Sequence, residues 1–263
     1  MLRTAAKAII RSIPAIDRLV DHLSHAVAHP RKLPPMERWK AGLPSEVNFW
    51  RRIINGTYPN REWVAEMRRR VCGQNPFPDH LHRYLDGTSV TRILDVGAGP
   101  ITILGPIGAP SQIEVVGVDP LADTYNTLLD KQGLVPCNRT LRGEGEHLSE
   151  LELGLFDLVY SRNALDHAYD PIRAIREMTK LCKASGAVFF EGNVNESCRE
   201  RGVGLHQWNF MPVDNGDLVV WQMNKKATSL RSALGENLQV QASGSKWYKV
   251  EIRHQIWGTL AAS

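Results

Sequence analysis

Four apolar runs, each closing on a polar residue, set the pattern of the chain from about residue 90 onward. TRILDVGAG breaks at Asp95, IEVVGVDP at Asp119, FDLVYSRN around Leu158 to Ser161, and GAVFFEG around Ala187 to Glu191. Such near-continuous hydrophobicity is what a strand buried on both faces shows. Between the runs lie ADTYNTLLDKQG and DPIRAIREMTKLCK, which carry apolar residues at helical spacing. The alternation predicts an α/β fold with a mainly parallel sheet and crossover helices. Ligands of such sheets sit beyond the carboxyl ends of the strands, where Asp95, Asp119, Ser161 and Glu191 fall.

The flanks read differently. Residues 1–88 are predicted to be a helical extension or lid, and FWRRIINGTYPNREWVAEMRRRVCG suggests two helices separated at Asn55-Gly56 and Tyr58-Pro59. Residues 89–263 form the α/β domain, with an acceptor-side insertion at 193–225. In the tail, GDLVVWQM, ENLQVQAS and KWYKVEIRHQIW read as strands. The last two, joined through Gly244, predict an antiparallel hairpin at the sheet edge.

Composition narrows the function classes. A chain of 263 residues with 43% hydrophobic and 23% charged positions builds a full globular core. No run of about 18 apolar residues predicts a membrane span. The start reads as an amphipathic arm, with Ile9, Ile10, Leu19 and Val20 set against Arg3, Lys7, Arg11 and Arg18. It lacks the apolar stretch of a secretory signal and suits packing, homodimer formation or weak peripheral membrane contact. A net charge of +4, with clusters at Arg68 to Arg70 and Lys225-Lys226, disfavours nucleic acid as the partner because no recognition motif accompanies it. Cys72, Cys137, Cys182 and Cys198 form no CxxC pair, which fits a reducing, cytoplasmic setting.

The chemistry concentrates in two places. The first is LDVGAGP, where Gly97 and Gly99 let the chain turn from strand into a ligand-facing loop. Asp119, at the end of the next strand, is placed to accept both hydroxyl protons of a ribose. A dinucleotide fingerprint requires glycine at position 102, but Thr102 stands there, and Pro100 follows Gly99 directly.

Taken together, LDVGAGPI, VGVDP and FDLVYSRNALDHAYDP resemble the motifs of the class I methyltransferase superfamily over roughly residues 90 to 192. The resemblance implies a Rossmann-like, mainly parallel seven-stranded sheet and S-adenosyl-L-methionine as cofactor, released as S-adenosyl-L-homocysteine. It implies that Gly97 and Gly99 shape the loop beside the methionine end, and that Asp119, followed by Pro120, binds the ribose. GEGEHL at 143–148 resembles the family's acidic stretch, which puts Glu144 at the adenine amino group and Gly145 at the ring edge, with Glu146 as the alternative. The Arg162 backbone and Asn163 would touch the methionyl part. Asp95 would orient the cofactor's amino group or hold the glycine loop.

The second place is the acceptor side. A hydroxyl acceptor is helped by a base near its oxygen, and histidine titrates near neutrality. His206, within LHQWNF, and His167, beside Asp166, are the candidates. Helix capping or packing is an alternative role for His167. A metal is not expected, since no closely spaced third ligand accompanies Asp166 and His167. Gln207 and Asn209 offer amides to an acceptor, Trp208 a stacking face, and Asp166, Glu191 and Asn193 further polar contacts. The NPPY and DPPY motifs of enzymes acting on adenine or glutamine are missing, and Pro136-Cys137 lies in the wrong region for a cytosine nucleophile. The FW-containing segment before LDVGAGPIT resembles bacterial methyltransferases of polysaccharide and natural-product pathways. The reading is therefore an O-methyltransferase for a small polar acceptor, a sugar or glycan precursor being one class. The alternatives are a small-molecule N-methyltransferase and a noncatalytic cofactor-binding partner protein on the same fold.

Overall fold

The computed structural model describes residues 33–85, 90–109, 112–222 and 226–255. The amphipathic arm of residues 1–32, with its proposed dimer and membrane roles, and Lys225 lie outside the described residues.

Two helices come first. α1 spans Pro35–Ile54, with proline in its first turn and Pro44 inside it. α2 spans Arg61–Val71, and Asn60 caps it by accepting from the amides of Glu62 and Trp63. The break between them falls at the turn the sequence marks. β1 (Thr91–Val96) and β2 (Ile113–Asp119) follow, then α3 (Ala122–Lys131), the short β3 (Leu141–Arg142) and β4 (Phe156–Arg162). α4 (Pro171–Lys180) leads into β5 (Cys182–Asn193).

The main sheet has seven strands in the order β3-β2-β1-β4-β5-β10-β9, where β9 is Leu238–Ser243 and β10 is Trp247–His254. β1 through β5 pair in parallel, while β10 runs antiparallel to both β5 and β9. The predicted edge hairpin is therefore present, and it is β10 that docks on β5. The central strands are covered on both sides, which explains their unbroken apolar runs. Leu94, Val96, Val159, Val188 and Phe190 pack with Ala174, Ile175 and Met178 of α4 on one face. Ile93, Leu158, Tyr160, Ala187 and Phe189 pack with Phe77 and Leu81 on the other. α1 and α2 share a third cluster with the main domain, in which Ile53, Ile54, Met67 and Val71 meet Ile101 and Leu129.

The insertion takes a form the sequence pattern leaves open. After β5 comes a single helical turn, α5 (Glu196–Arg199), then β6 (Asn209–Pro212), β7 (Leu218–Trp221) and β8 (Thr228–Ser229). These three strands make a separate antiparallel sheet. The GDLVVWQM run belongs to this small sheet rather than to the main one. α6 (Leu230–Leu234) links it to β9. Among the described residues no helix is long and apolar enough to cross a membrane.

Candidate active site

At the carboxyl end of β1 the chain turns through Gly97 (φ 74°) and Gly99 (φ 65°). Both positions need glycine for space as well as for backbone. A Cβ on Gly97 would lie 2.4 Å from the Cβ of Ala164, and one on Gly99 would lie 3.1 Å from the indole of Trp50. The glycine loop is thus pressed between the turn after β4 and helix α1. Two carboxylates hold it. Asp119 accepts from the Gly99 amide (3.1 Å) and the Leu121 amide (2.9 Å). Asp95 accepts from the Thr102 hydroxyl at 2.6 Å, and that hydroxyl in turn accepts from the Leu104 amide. Thr102, the residue that breaks the dinucleotide fingerprint, is therefore the loop's own anchor. Burial pushes Asp95 up to about 6 and Asp119 up to about 7, against the hydrogen bonds that favour their charged forms.

Beyond Asp119 opens a cleft of about 410 Å³ lined by Pro120, Arg142, Gly143, Glu144, His147, Glu150 and Leu151. Glu144 stands in this lining and receives the Tyr169 hydroxyl at 2.8 Å. Glu146 does not line it. Its buried carboxylate accepts from the amides of Tyr169 (2.9 Å) and Asp170 (3.0 Å), so it fixes the turn before α4. Of the two acidic candidates, the geometry favours Glu144 for a ligand. Gly145 packs its backbone toward Ala174, where a Cβ would lie 3.3 Å from that side chain.

The donor set fits a nucleoside linked to an amino acid. One carboxylate stands at the end of β2 for a diol, a second lies across a cleft for an exocyclic amine, and a side-chain-free loop runs alongside. Asn163 adds a strained feature at the end of β4, with φ at 50°. Its amide donates to the Glu191 carbonyl (2.8 Å), and its Oδ1 accepts from the Asn193 side chain (3.3 Å). Arg162 is exposed, its guanidinium 5.3 Å from the centre of the Trp247 ring.

These motifs match a family model described as "Methyltransferase domain" over residues 94–190. Residues 94–190, from β1 into β5, are thus similar to a methyltransferase domain. It is 34% identical to an uncharacterized methyltransferase of Schizosaccharomyces pombe over 37% of this chain and 38% of that protein. It is 26% identical to a ubiquinone biosynthesis O-methyltransferase of Methylococcus capsulatus over 51% of this chain and 57% of that one. The matches thus span about two fifths to just over half of these relatives' lengths. Among solved structures, an O-methyltransferase family protein from Burkholderia thailandensis aligns with 12% identity and a TM-score of 0.46, over 68% of this chain and 55% of that one.

Beyond the turn whose Ala164 abuts the glycine loop, the fold builds a cluster that the sequence spacing hides. Asp166, buried in the 3₁₀ turn Leu165–His167, lies with one oxygen 2.7 Å from His206 Nδ1. His167 Nε2 lies 3.1 Å from the same nitrogen. The expectation that Asp166 and His167 lack a third neighbour is thereby corrected: His206, distant in sequence, supplies it. The loop is drawn in because the Asp166 carbonyl accepts from the amides of Gln207 (3.0 Å) and Trp208 (3.3 Å). Arg38 of α1 clamps it from outside, donating to the carbonyls of Gly202 (2.7 Å) and His206 (3.2 Å). Burial opposes charge on both Asp166 and His206, yet attraction wins: that of His167 and then of His206 for Asp166, and that of Asp166 for His206. Asp166 is held below the usual carboxylate range, and His206 is pushed up to about 9 with help from Glu196 and Glu46.

The remaining candidates serve elsewhere. Glu191 is buried and accepts from the Tyr160 hydroxyl (2.8 Å) and the Trp247 indole (2.9 Å), with His80 Nε2 at 3.2 Å, so it ties β4, β5 and β10 together. Trp208 donates to the Ala168 carbonyl (2.8 Å) and packs against the core. Asn209 is fully buried and accepts from the Cys198 amide at 2.9 Å. Gln207 is also buried, and its side-chain amide has no hydrogen-bond partner among the described residues. Arg38, Glu46 and Tyr169 escape the sequence reading, and of these Tyr169, inside ALDHAYDP, lies within a recognisable motif; Trp50 belongs to the FW-containing segment, but its place against Gly99 is not legible there.

Proposed function

We propose that the protein transfers a methyl group from S-adenosylmethionine to a hydroxyl of a small polar acceptor, with a sugar or glycan precursor as the substrate class. One observation carries the reading. The turn that bears Asp166 and His167 is the same turn whose Ala164 abuts Gly97 of the cofactor loop. The charged cluster and the methyl donor are thus held by neighbouring atoms of one structural unit.

Bound S-adenosylmethionine supplies an electrophilic methyl on a sulfonium. This chain's residues position and polarise. Asp119 holds the ribose, Glu144 the adenine amine, and the glycine loop the methionyl end. An oxygen acceptor sheds a proton as it takes the methyl group. Anionic Asp166 beside two imidazoles favours positive charge at that point, which stabilises the developing alkoxide. The side chains of His167 and His206 keep 20% and 23% of their surface exposed, enough for an acceptor to touch them. The Methylococcus capsulatus relative is an O-methyltransferase, which supports oxygen over nitrogen.

The test is a calorimetric titration with S-adenosylhomocysteine, using NAD as control, followed by a screen with labelled methyl donor against hydroxyl and amine acceptors. Saturable binding of the first ligand alone, with label entering a hydroxyl acceptor, is the expected result. Label entering only amines would shift the assignment to an N-methyltransferase. Binding without any transfer would favour a noncatalytic partner. A preference for NAD would overturn the reading.

A further inference from the structure

We propose that Asp166, His167 and His206 bind one divalent transition-metal ion of the zinc–manganese class, with an open position for the acceptor's hydroxyl oxygen. The inference rests on the reading that this cluster faces the acceptor.

Proton bookkeeping points to the ion. His206 Nδ1 lies 2.7 Å from Asp166 Oδ2 and 3.1 Å from His167 Nε2. One ring nitrogen carries at most one hydrogen, and a carboxylate carries none. If His206 donates to Asp166, the contact with His167 has no properly directed hydrogen. If His167 donates to His206, the short contact with Asp166 sets a lone pair against a lone pair. No tautomer serves both contacts well, whereas one cation serves all three atoms.

The shape agrees. The third side of the triangle, His167 Nε2 to Asp166 Oδ2, is 3.8 Å. The three sides average about 3.2 Å, close to the roughly 3.3 Å separating ligands on one face of a tetrahedron around an ion about 2.0–2.1 Å from each. Two imidazoles and a carboxylate suit zinc and its neighbours better than calcium or magnesium. Three protein ligands leave the fourth place free, as catalytic zinc sites do.

The Asp166 backbone carbonyl, bonded to Gln207 and Trp208, keeps the carboxylate and His206 in register.

In such a site the acceptor hydroxyl binds the ion and releases its proton to solvent. Its oxygen lone pair forms the new O–C bond to the methyl group. The C–S bonding pair stays on sulfur, which leaves as a neutral thioether.

The test uses the full-length protein, stripped with chelator and dialysed. Zn²⁺ is titrated by calorimetry, and Co²⁺ by its visible absorption. S-adenosylhomocysteine binding is measured on the same sample. One equivalent of each metal is expected. Asp166→Asn, His206→Gln and His167→Gln should each weaken Zn²⁺ binding more than about tenfold, while His254→Gln leaves it unchanged. Because Asp166 is buried, the partly exposed His167 provides the variant expected to fold, with retained S-adenosylhomocysteine binding as the check. No Zn²⁺ binding to the wild type, or equal binding by all three variants, overturns the proposal. Zn²⁺ binding without S-adenosylhomocysteine binding would leave the metal site standing and remove the methyltransferase reading, and the converse result would do the opposite.

Discussion

Asp119 carries a conflict that a ligand can relieve. Burial pushes it up to about 7 although two backbone amides favour its charged form. Only the carboxylate accepts well from both hydroxyls of a ribose. S-adenosylhomocysteine should therefore bind about tenfold more tightly at pH 8 than at pH 6, since the ionised fraction changes by about that factor across a group titrating near 7. Calorimetry at the two pH values checks this. Asp119→Ala should weaken binding and abolish the difference, and a persistent difference in that variant would assign the effect to another group. Gly97 makes a steric prediction at the same scale. Gly97→Ala places a methyl 2.4 Å from the Cβ of Ala164 on a backbone with φ at 74°. The left-handed conformation alone costs about 1–3 kcal/mol, so the loop should shift, with a lower thermal midpoint and weaker S-adenosylhomocysteine binding. Both residues are legible in the sequence, because a glycine turn and a terminal carboxylate are local signals. The partner that makes Gly97 irreplaceable, Ala164, is not.

Elements show the same division between local and distant causes. α4 is readable from sequence because everything that makes it is local. Asp170 caps it by accepting from the Arg173 amide at 3.0 Å, Pro171 opens it, and Ala174, Ile175 and Met178 fall on one buried face. Met178→Ala removes a fully buried side chain between α4 and the sheet. It should cost about 2–5 kcal/mol in a denaturation experiment, and a loss well below that would mean the neighbours close the cavity. α1 is the opposite case. Its helical character shows in the sequence, but its docking depends on Arg38 reaching the carbonyls of Gly202 and His206, and on Gly42 admitting Leu205. Neither contact has a sequence signature. Arg38→Gln should loosen the loop that carries His206 while leaving the glycine loop intact. The expected readout is a reduced kcat/KM for the acceptor with an unchanged S-adenosylhomocysteine Kd. A parallel loss of both would make Arg38 a general stabiliser of the fold.

At the scale of the whole molecule, the parallel core was predictable because a strand covered on both faces must be apolar throughout, and the helices between such strands must cross over. The segment after β5 was less so. LHQWNF carries the right residue types, but the fold divides them: His206 goes to the cluster, Trp208 to the core, and Asn209 to a loop amide. Likewise Glu191, placed by its strand at the ligand-bearing edge, is taken up by Tyr160 and Trp247, the latter from the far end of the chain. Burying several carboxylates at that edge has a global consequence. Asp95 and Asp119 titrate near 6 and 7 in the folded chain, above the ordinary aspartate value of 3.8. Between these values the native state holds more protons than the unfolded chain, so stability falls as pH rises. Their contribution is fully present below about pH 4 and is lost through pH 6 to 7. The ligand-free protein should therefore lose thermal stability between about pH 5 and pH 8. Saturating S-adenosylhomocysteine should flatten that slope, because ribose hydroxyls donating to Asp119 stabilise its charged form and lower its pKa. This is the linkage counterpart of the pH-dependent affinity predicted for Asp119. Thermal scans at several pH values, with and without the ligand, measure both effects. A midpoint that rises over that range without ligand would mean that the pairing of other acidic groups outweighs the two buried aspartates.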